Sequence, residues 1–238
     1  MQALSLGDRL FIEKSASDAL TCSDLSLPCD KTNLVIKALH LFRKKTGLSF
    51  PVRIHLEKQI PQEAGLGGGS SNFATTLWGL KELSGQSIST KELMKWAGEV
   101  SSDAPFFFSS GRAFCQGRGE KVTSLKPVTP KALWLVKPPA SLSTPRVYAH
   151  AVPNGCSNED PHLLMKESRY VNDLEAAAFH LKPELKTLKA ALFASGFKTA
   201  LMTGSGTTFF CFEENEVKFP SLWVKKATFC FRKEDGWF

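Results

Sequence analysis

The sequence predicts an α+β protein built from two domains. Patterns typical of helices and of strands are mixed along the chain without the strict strand–helix alternation of a doubly wound parallel sheet. A proline-containing stretch, residues 125–130, is typical of a linker between domains. The 238 residues, of which 42% are hydrophobic, suffice for a sizeable core. We therefore expect an N-terminal domain over residues 1–129 and a C-terminal domain over residues 130–238.

The first elements follow from local patterns. Residues 9–13 favour a strand, and a polar loop follows through Pro28. One apolar face at helical spacing predicts a helix over residues 32–45, and Gly47 is suited to end it. Residues 50–56 alternate between apolar and polar side chains and predict a second strand.

Two further helices are predicted before the linker. Residues 72–83 show helical spacing of apolar side chains. Ser89 and Glu92 have the spacing of a capping box, which opens a helix that extends to about Val100. Short strands are expected around residues 106–108 and 112–115.

The half that follows the linker predicts the same mixture of elements. The expected order is a strand at residues 133–137, helices at 173–179 and 183–195, a strand pair around 204–206, and a strand at 227–232.

Composition and charge exclude several classes of protein. A charged fraction of 22% is ordinary for a soluble globular chain and excludes a disordered tail, a collagen-like repeat and a coiled coil. The longest apolar stretches are too short to cross a bilayer, and the first residues lack a secretion pattern, so we expect a cytoplasmic protein without a membrane partner. The net charge of +7 suits a phosphorylated small molecule, and without a recognised motif we expect no nucleic-acid partner.

The cysteines and histidines predict no metal centre. The cysteines, at positions 22, 29, 115, 156, 211 and 230, form no C-x-x-C pair, and no histidine pairs with them at metal-ligand spacing. We expect reduced, partly buried thiols.

Residues 61–72 form the most distinctive segment, P-Q-E-A-G-L-G-G-G-S-S-N, which joins a predicted strand to a predicted helix. Its four glycines permit tight turns and expose backbone N–H groups, and the following helix adds its N-terminal partial positive charge. Ser70 and Ser71 add hydroxyl groups. The segment lacks the lysine of a Walker loop and the last glycine of a dinucleotide fingerprint. It therefore predicts a cradle for phosphate groups, and the alternative is a flexible surface turn.

Asp103 is the candidate catalytic residue. It follows a predicted helix and precedes a strongly apolar run that begins at Ala104. An anion is unfavourable at a helix C-terminus, so helix stability does not explain this carboxylate. We interpret Asp103 as a candidate general base, and the alternative is a polar turn residue before Pro105.

Five short segments carry a resemblance to a known family. They are residues 65–72 (GLGGGSSN), 102–107 (SDAPFF), 117–120 (GRGE), 172–175 (NDLE) and 202–206 (MTGSG). In this order they resemble the galactokinase, homoserine kinase, mevalonate kinase and phosphomevalonate kinase (GHMP) superfamily, and within it the 4-diphosphocytidyl-2-C-methyl-D-erythritol kinase family. The resemblance runs from about Ala3 onwards. One glycine loop alone would be weak evidence for the family, whereas five segments in the family's order are strong evidence.

The resemblance implies both a fold and a reaction. The fold is the two-domain GHMP kinase fold, with a ribosomal protein S5 domain 2-like N-terminal domain and a ferredoxin-like α+β C-terminal domain. The enzyme would move the γ-phosphoryl group of ATP to the 2-hydroxyl of 4-diphosphocytidyl-2-C-methyl-D-erythritol, a step of non-mevalonate isoprenoid biosynthesis. Mg²⁺ would bind through the ATP phosphates, and the enzyme would act on this small molecule as a monomer or weak homodimer.

The resemblance also assigns residues, position by position. The ATP phosphates would contact Pro61, Gln62, Glu63, Ala64, Gly65, Leu66, Gly67, Gly68, Gly69, Ser70 and Ser71. Asp103 would accept or orient the proton of the attacking hydroxyl. Asn33 and Lys58 resemble nucleotide-side positions, although a helix-start residue and a surface charge are equal alternatives. Gly204, Ser205 and Gly206 would close over the substrate, and the alternative for them is a hairpin turn.

Two motifs of the family have no counterpart in these 238 residues. They are P-x-K-[IL]-N, whose lysine would be the catalytic partner of the aspartate, and G-Y-H, which would help to hold the cytidine end. About 30 residues, enough for a strand–turn–strand unit, would carry them. Met1 would then be an internal methionine of a longer protein, or the chain would be shortened and weakly active or inactive.

Several functions therefore stay open. The leading one is the isoprenoid-precursor kinase, and another GHMP small-molecule kinase is its nearest rival. The presence of Asp103 disfavours a homoserine kinase, because these tend to lack that base. A catalytically impaired nucleotide-binding remnant is an alternative from another class, and a dinucleotide-dependent oxidoreductase is more distant.

Overall fold

The computed structural model describes residues 1–152, 160–212, 219–233 and 236–238. They form two compact units of mixed helix and strand, which confirms the α+β class. The first unit comprises Met1–Pro61, Gly67–Pro130 and Phe229–Phe238, and the second comprises Gln62–Leu66 and Lys131–Thr228. The two units thus differ from domains separated by a single boundary between residues 129 and 130. Gln62–Leu66 belongs to the second unit, and Phe229–Phe238 belongs to the first.

The first unit is built on a three-stranded sheet. Its strands are Arg9–Lys14 (β1), Ala19–Cys22 (β2) and Val52–Glu57 (β3), in the order β1-β3-β2. β3 runs antiparallel to β1 and parallel to β2, so that Ile54 lies opposite both Ile12 and Leu20. The strand β2 lies in the stretch for which the sequence predicted only a polar loop. Its four residues are too few for a pattern, and their pairing with β3 defines them.

Three helices share a core with this sheet. They are Leu34–Thr46 (α1), Gly68–Ser84 (α2) and Thr90–Gly98 (α3). Ser89 and Glu92 form the predicted capping box at the start of α3. Buried side chains of the helices, among them Phe42 and Phe73, pack in one cluster with Ile54 of β3. Burial of this apolar surface is the main contribution to the stability of the unit.

The apolar run after Asp103 is a 3-10 helix, Ala104–Phe108, and not the predicted strand. Pro105 stands at the start of this helix, where a missing N–H costs no hydrogen bond. Phe106 and Phe108 are both buried. The apolar run that suggested a strand is therefore explained by the burial of a helical turn. A hairpin follows, formed by Ala113–Gln116 (β4) and Lys121–Ser124 (β5), of which only β4 was predicted.

The second unit has an antiparallel sheet with helices packed on it. The strands are Ala132–Lys137 (β6), Ala200–Met202 (β7), Phe209–Cys211 (β8) and Trp223–Thr228 (β9), in the order β7-β8-β6-β9. The helices are Thr144–His150 (α4), Pro161–Lys166 (α5), Glu175–Leu181 (α6) and Pro183–Ala194 (α7). The core joins Val136 and Phe209 of the sheet to Ala178, Leu185 and Leu192 of the helices. The short helices α4 and α5 were not predicted.

The last strand, β9, ends at Thr228, although the sequence predicted a strand over residues 227–232. The chain leaves the sheet because its backbone binds the first unit instead. The Cys230 N–H donates to the Ala3 carbonyl (2.9 Å), and the Arg232 N–H donates to the Ser110 carbonyl (3.0 Å). The residues that follow Thr228 therefore belong to a different unit from β9.

Side chains of Phe229–Phe238 reinforce this attachment. The Arg232 guanidinium donates to the carbonyls of Phe108 (2.7 Å) and Ser109 (3.1 Å). The Trp237 ring stacks on Trp78 of α2 at 5.0 Å, and its indole N–H donates to Thr75 (3.0 Å). The segment thus braces both α2 and the 3-10 helix.

Cysteines at positions 22, 29, 115, 211 and 230 are free thiols, and position 156 lies outside the described residues. Cys29 is exposed, in contrast to the expected partial burial. Across the described ranges, no helix has both the length and the apolar character that a membrane span requires.

We predict that Trp237→Ala destabilises the first unit. The variant loses the stacking on Trp78 and the hydrogen bond to Thr75, and for a half-buried tryptophan we expect a loss of about 2–3 kcal/mol. Urea unfolding followed by circular dichroism measures the loss. Leu25→Ala is the control, because Leu25 is 97% exposed, and an equal effect of both variants would contradict the bracing role of Trp237.

Candidate active site

The predicted phosphate segment is divided between the two units. Pro61 and residues 67–71 belong to the first unit, and Gln62–Leu66 belongs to the second. The helix α2 begins at Gly68, four residues earlier than predicted, so Ser70 and Ser71 lie in its first turn. Gly67 precedes it in the left-handed conformation (φ 68°), and no side chain among the described residues caps the helix. Within the ranges that the structure describes, the first N–H groups of α2 thus have no side-chain acceptor, as an anion site requires.

Close packing explains two of the glycines. A Cβ atom at Gly68 would lie 3.2 Å from the side chain of Ile60, and one at Gly69 would lie 3.0 Å from Leu34. The absent side chains therefore leave room for neighbours within the same unit. This packing requirement adds to the conformational reason for glycine that the sequence suggested.

The start of α2 contacts the segment that carries the candidate base. The hydroxyls of Ser70 and Ser101 lie 2.9 Å apart and share a hydrogen bond. A Cβ atom at Gly67 would lie 3.3 Å from the ring of Phe107. The structure thus brings one end of the predicted phosphate cradle together with the segment that contains Asp103.

Asp103 immediately precedes the 3-10 helix and faces a glycine turn. A Cβ atom at Gly119 would lie 3.0 Å from Asp103 Oδ1 and 3.1 Å from the Ser102 carbonyl. The residue is exposed, yet the protein atoms around it desolvate the carboxylate and raise the pKa of Asp103 above its ordinary value. A raised pKa makes the group a stronger base once it is ionised.

The turn beside Asp103 is the G-R-G-E segment noted in the sequence. The Glu120 carboxylate accepts the N–H of Arg118 at 2.7 Å. Backbone hydrogen bonds from its own residue and from Arg118 lower the pKa of Glu120. Glu120 therefore stabilises the turn that lets Gly119 approach Asp103.

Lys58 is not a surface charge. Its ammonium pairs with the carboxylate of Asp8, and the side chains are 9% and 0% exposed, respectively. Asp8 also accepts the N–H groups of Gln59 (2.7 Å) and Ile60 (2.9 Å) and the side-chain amide of Asn72 (2.8 Å). Asp8 was missed by the sequence analysis, since an acidic residue before a strand has no distinctive pattern.

Asn33 caps α1. Its Oδ1 accepts the N–H of Val35 (2.9 Å), and its Nδ2 donates to the Pro28 carbonyl (2.6 Å). These hydrogen bonds show that Asn33 has the helix-start role. The residue is 8% exposed. Its nucleotide role stays a prediction.

In the second unit, the loop that contains Gly204, Ser205 and Gly206 joins β7 to β8 and packs against Gly65. The hydroxyl of Thr203 donates to the Gly65 carbonyl. A Cβ atom at Gly65, whose φ is +70°, would lie 2.8 Å from the Gly206 carbonyl. Ser205 is buried and shares a hydrogen bond of 2.9 Å with Thr144. Part of the phosphate segment and the predicted substrate loop therefore contact each other.

The N-D-L-E segment holds this loop in place. The Asn172 amide donates to the carbonyls of Met202 (2.7 Å) and Gly204 (2.9 Å). The Glu175 carboxylate accepts the Met202 N–H (2.8 Å) and pairs with the Lys189 ammonium. The sequence analysis noted the motif without a role for Asn172 and Glu175, and these hydrogen bonds provide one.

Lys137 supports the same loop from β6. Its ammonium donates to the carbonyls of Pro138 and Ala140, both at 3.1 Å, and the Thr207 hydroxyl donates to Ala140 at 2.8 Å. Burial lowers the pKa of Lys137, and the charge of Glu63 partly opposes this shift. Lys137 had no signal in the sequence, since a lysine at a strand end is ordinarily exposed.

Side chains of His, Cys, Asp and Glu do not gather in groups of three or more that could hold a metal ion in the part of the chain that the structure describes.

Comparison with known proteins identifies the family. Residues 33–111 match the GHMP kinases N terminal domain, and residues 156–218 match the GHMP kinases C terminal domain. The 4-diphosphocytidyl-2-C-methyl-D-erythritol kinase of Protochlamydia amoebophila is 50% identical over 240 residues, which cover 100% of this chain and 82% of the relative. The chloroplastic kinase of the same name from Arabidopsis thaliana is 40% identical over 261 residues, covering 99% of this chain and 68% of the relative.

Solved structures agree with the sequence matches. A crystal structure of 4-(cytidine 5'-diphospho)-2C-methyl-D-erythritol kinase superposes with a TM-score of 0.76 at 31% identity, covering 95% of this chain and 87% of that one. Homoserine kinase from Cytophaga hutchinsonii reaches a TM-score of 0.74 at 15% identity, covering 98% and 89%, and shares the fold. By sequence over its whole length and by its fold, the chain belongs to the GHMP kinases, in the family of the 4-diphosphocytidyl-2-C-methyl-D-erythritol kinases.

Proposed function

We propose that this chain transfers the γ-phosphoryl group of ATP to the 2-hydroxyl of 4-diphosphocytidyl-2-C-methyl-D-erythritol. The hydroxyl oxygen forms a bond to the γ-phosphorus while the bond between that phosphorus and the β–γ bridging oxygen breaks. ADP leaves with the electron pair of the broken bond on its β-phosphate. The Asp103 carboxylate takes or orients the proton of the hydroxyl.

The hydrogen bond between Ser70 and Ser101 is the observation that carries the proposal. It joins the uncapped start of α2, a suitable place for phosphate oxygens, to the segment of Asp103. Phosphoryl transfer depends mainly on positioning and on stabilisation of charge, so a phosphate cradle beside a carboxylate supplies two of its requirements.

Resemblance to the family supports the remaining assignments. We propose that residues 61–71 bind the ATP phosphates, with Asn33 and Lys58 on the nucleotide side, and that residues 204–206 contact the substrate. Mg²⁺, bound through the ATP phosphates, would neutralise their negative charge. We expect a monomer or weak homodimer in the cytoplasm, and native mass spectrometry tests the oligomeric state.

The test is an assay with purified protein, ATP, Mg²⁺ and the alcohol, in which the 2-phosphate is detected by phosphorus NMR. Formation of ADP and the 2-phosphate supports the proposal. Homoserine and mevalonate are the comparison substrates, and phosphorylation of either in preference to the alcohol would favour another GHMP kinase. Binding of ATP without any phosphorylated product would identify a nucleotide-binding remnant.

We predict that Asp103→Asn abolishes most of the turnover. The amide cannot accept the proton, so kcat should fall by about 10²–10⁴-fold, while the KM for ATP stays within about twofold. Steady-state kinetics measure both. Unchanged turnover would exclude Asp103 as the base.

Asp103→Asn should not reduce the stability of the folded chain, although it reduces turnover. Desolvation raises the pKa of Asp103 in the folded chain, so the ionised carboxylate is less favourable there than in the unfolded chain. At neutral pH, Asp103→Asn should therefore be as stable as the unmodified protein or more stable. Any gain should shrink as the pH falls through the raised pKa, because the carboxyl is then protonated in the folded chain. Urea unfolding at several pH values tests this, and a gain that grows towards acid would contradict it.

We predict that Gly65→Ala disrupts the loop of residues 203–206. A methyl group there meets the carbonyl of Gly206 as well as a left-handed backbone. Gly85→Ala is the matched control, because Gly85 has φ +69° and nothing within 4 Å of its Cβ position. We expect Gly65→Ala to cost about 1–3 kcal/mol more than the control. Equal losses in thermal or urea unfolding would show that the close contact is unimportant.

A further inference from the structure

A fully buried carboxylate lies next to the start of α2. Asp8, directly before β1, has a side chain with 0% exposure, whereas most aspartates lie at the surface. Four donors surround its two oxygens: the N–H groups of Gln59 and Ile60 at Oδ1, and the Asn72 amide and the Lys58 ammonium at Oδ2. The carboxylate is therefore fully satisfied, as a buried charge must be.

These four donors belong to two parts of the proposed nucleotide side. Lys58, Gln59 and Ile60 follow β3 and lead into the phosphate segment. Asn72 lies one turn into α2 and is 4% exposed. One carboxylate thus connects the end of β3 to the helix whose start we propose as the phosphate site.

The cation of Lys58 is held close to that start. Its Nζ would lie 3.6 Å from a Cβ atom at Gly68, the first residue of α2. A lysine side chain has four rotatable bonds and, without a partner, would sample many positions. The ion pair with Asp8 restricts it to one.

Stability alone is a poor explanation for this pair. Removing two charges from water costs about as much as their attraction returns, and apolar residues of similar volume often stabilise a protein as well or better. A buried pair beside a proposed ligand site is better explained by the geometry that it imposes.

We propose that Asp8 is a positioning residue for ATP, which acts by holding the Lys58 ammonium beside the first residue of α2. The inference rests on the proposed function, since it assumes that ATP binds next to this helix start. It adds a residue for which the sequence carried no signal, and it assigns Asp8 an effect on nucleotide affinity rather than on the chemical step.

The test compares ATP affinity with stability in two variants. Asp8→Asn leaves the Lys58 ammonium buried without its counter-charge, and this variant alone could unfold. The double variant Asp8→Asn with Lys58→Met removes both charges and should fold with a stability close to that of the unmodified protein. A non-hydrolysable ATP analogue with Mg²⁺ is titrated into each folded protein by calorimetry.

We expect the double variant to bind the analogue about tenfold more weakly or worse, because a charge-assisted contact is lost. Lys58→Met alone leaves the buried Asp8 carboxylate without its counter-charge. Where this variant folds, it should weaken binding to the same extent, because Asp8 acts through Lys58. With the double variant, the KM for ATP should rise by a larger factor than kcat falls, because the lost contact acts on nucleotide binding. A purely structural role for Asp8 would change stability and leave the Kd of folded Asp8→Asn, which keeps Lys58, unaltered.

Rescue and control variants complete the experiment. Asp8→Asn combined with Asn72→Asp exchanges the carboxylate and the amide, keeps a negative charge near Lys58, and should recover most of the affinity. Asp18→Asn is the matched control. Asp18 also pairs with a cation, the Arg43 guanidinium, and accepts a backbone N–H, that of Val52, away from Lys58. It should leave the Kd unchanged.

The outcomes separate the two proposals. An unmodified protein that binds no ATP analogue would overturn the proposed function and, with it, this inference. An unmodified protein that binds the analogue, together with a double variant of equal affinity, would overturn the inference alone.

Discussion

A carboxylate without contact to solvent orders the chain around the start of α2. Asp8 must find donors for both of its oxygens, and it finds them on the segment after β3 and on α2 itself. Satisfying this one charge therefore brings Lys58 to Gly68 and sets the point at which the phosphate segment leaves the sheet. The glycines then let Ile60 and Leu34 pack against the backbone, so the segment is held from both sides.

Polar side chains also hold a glycine-containing loop in the second unit. Asn172 and Glu175 bind the backbone of Met202 and Gly204, and the loop that they hold packs against Gly65. In both units a glycine-rich loop without large side chains takes its shape from polar side chains elsewhere in the sequence. Glycine permits these conformations, and the buried hydrogen bonds select one of them.

Much of the architecture could be predicted because it depends on local patterns. The helix α1, the capping box of α3 and the strands on either side of residues 204–206 follow from residue spacing alone. The strand β2 and the 3-10 helix at residues 104–108 could not be predicted, because pairing and burial by distant residues decide their conformation. Asp8 belongs to this second class. Its partners lie about fifty and more residues away, at Lys58 and Asn72, and a lone acidic residue carries no periodic signal.

The return of residues 229–238 to the first unit means that this unit is complete only after the second has been synthesised. Domains generally fold as they leave the ribosome, with the N-terminal one first. Here every residue of the second unit is made before Arg232 and Trp237, which brace α2 and the 3-10 helix of the first. The unit that contains Met1 is thus the last to be completed. Until Trp237 has been made, the ring of Trp78 lacks its stacking partner.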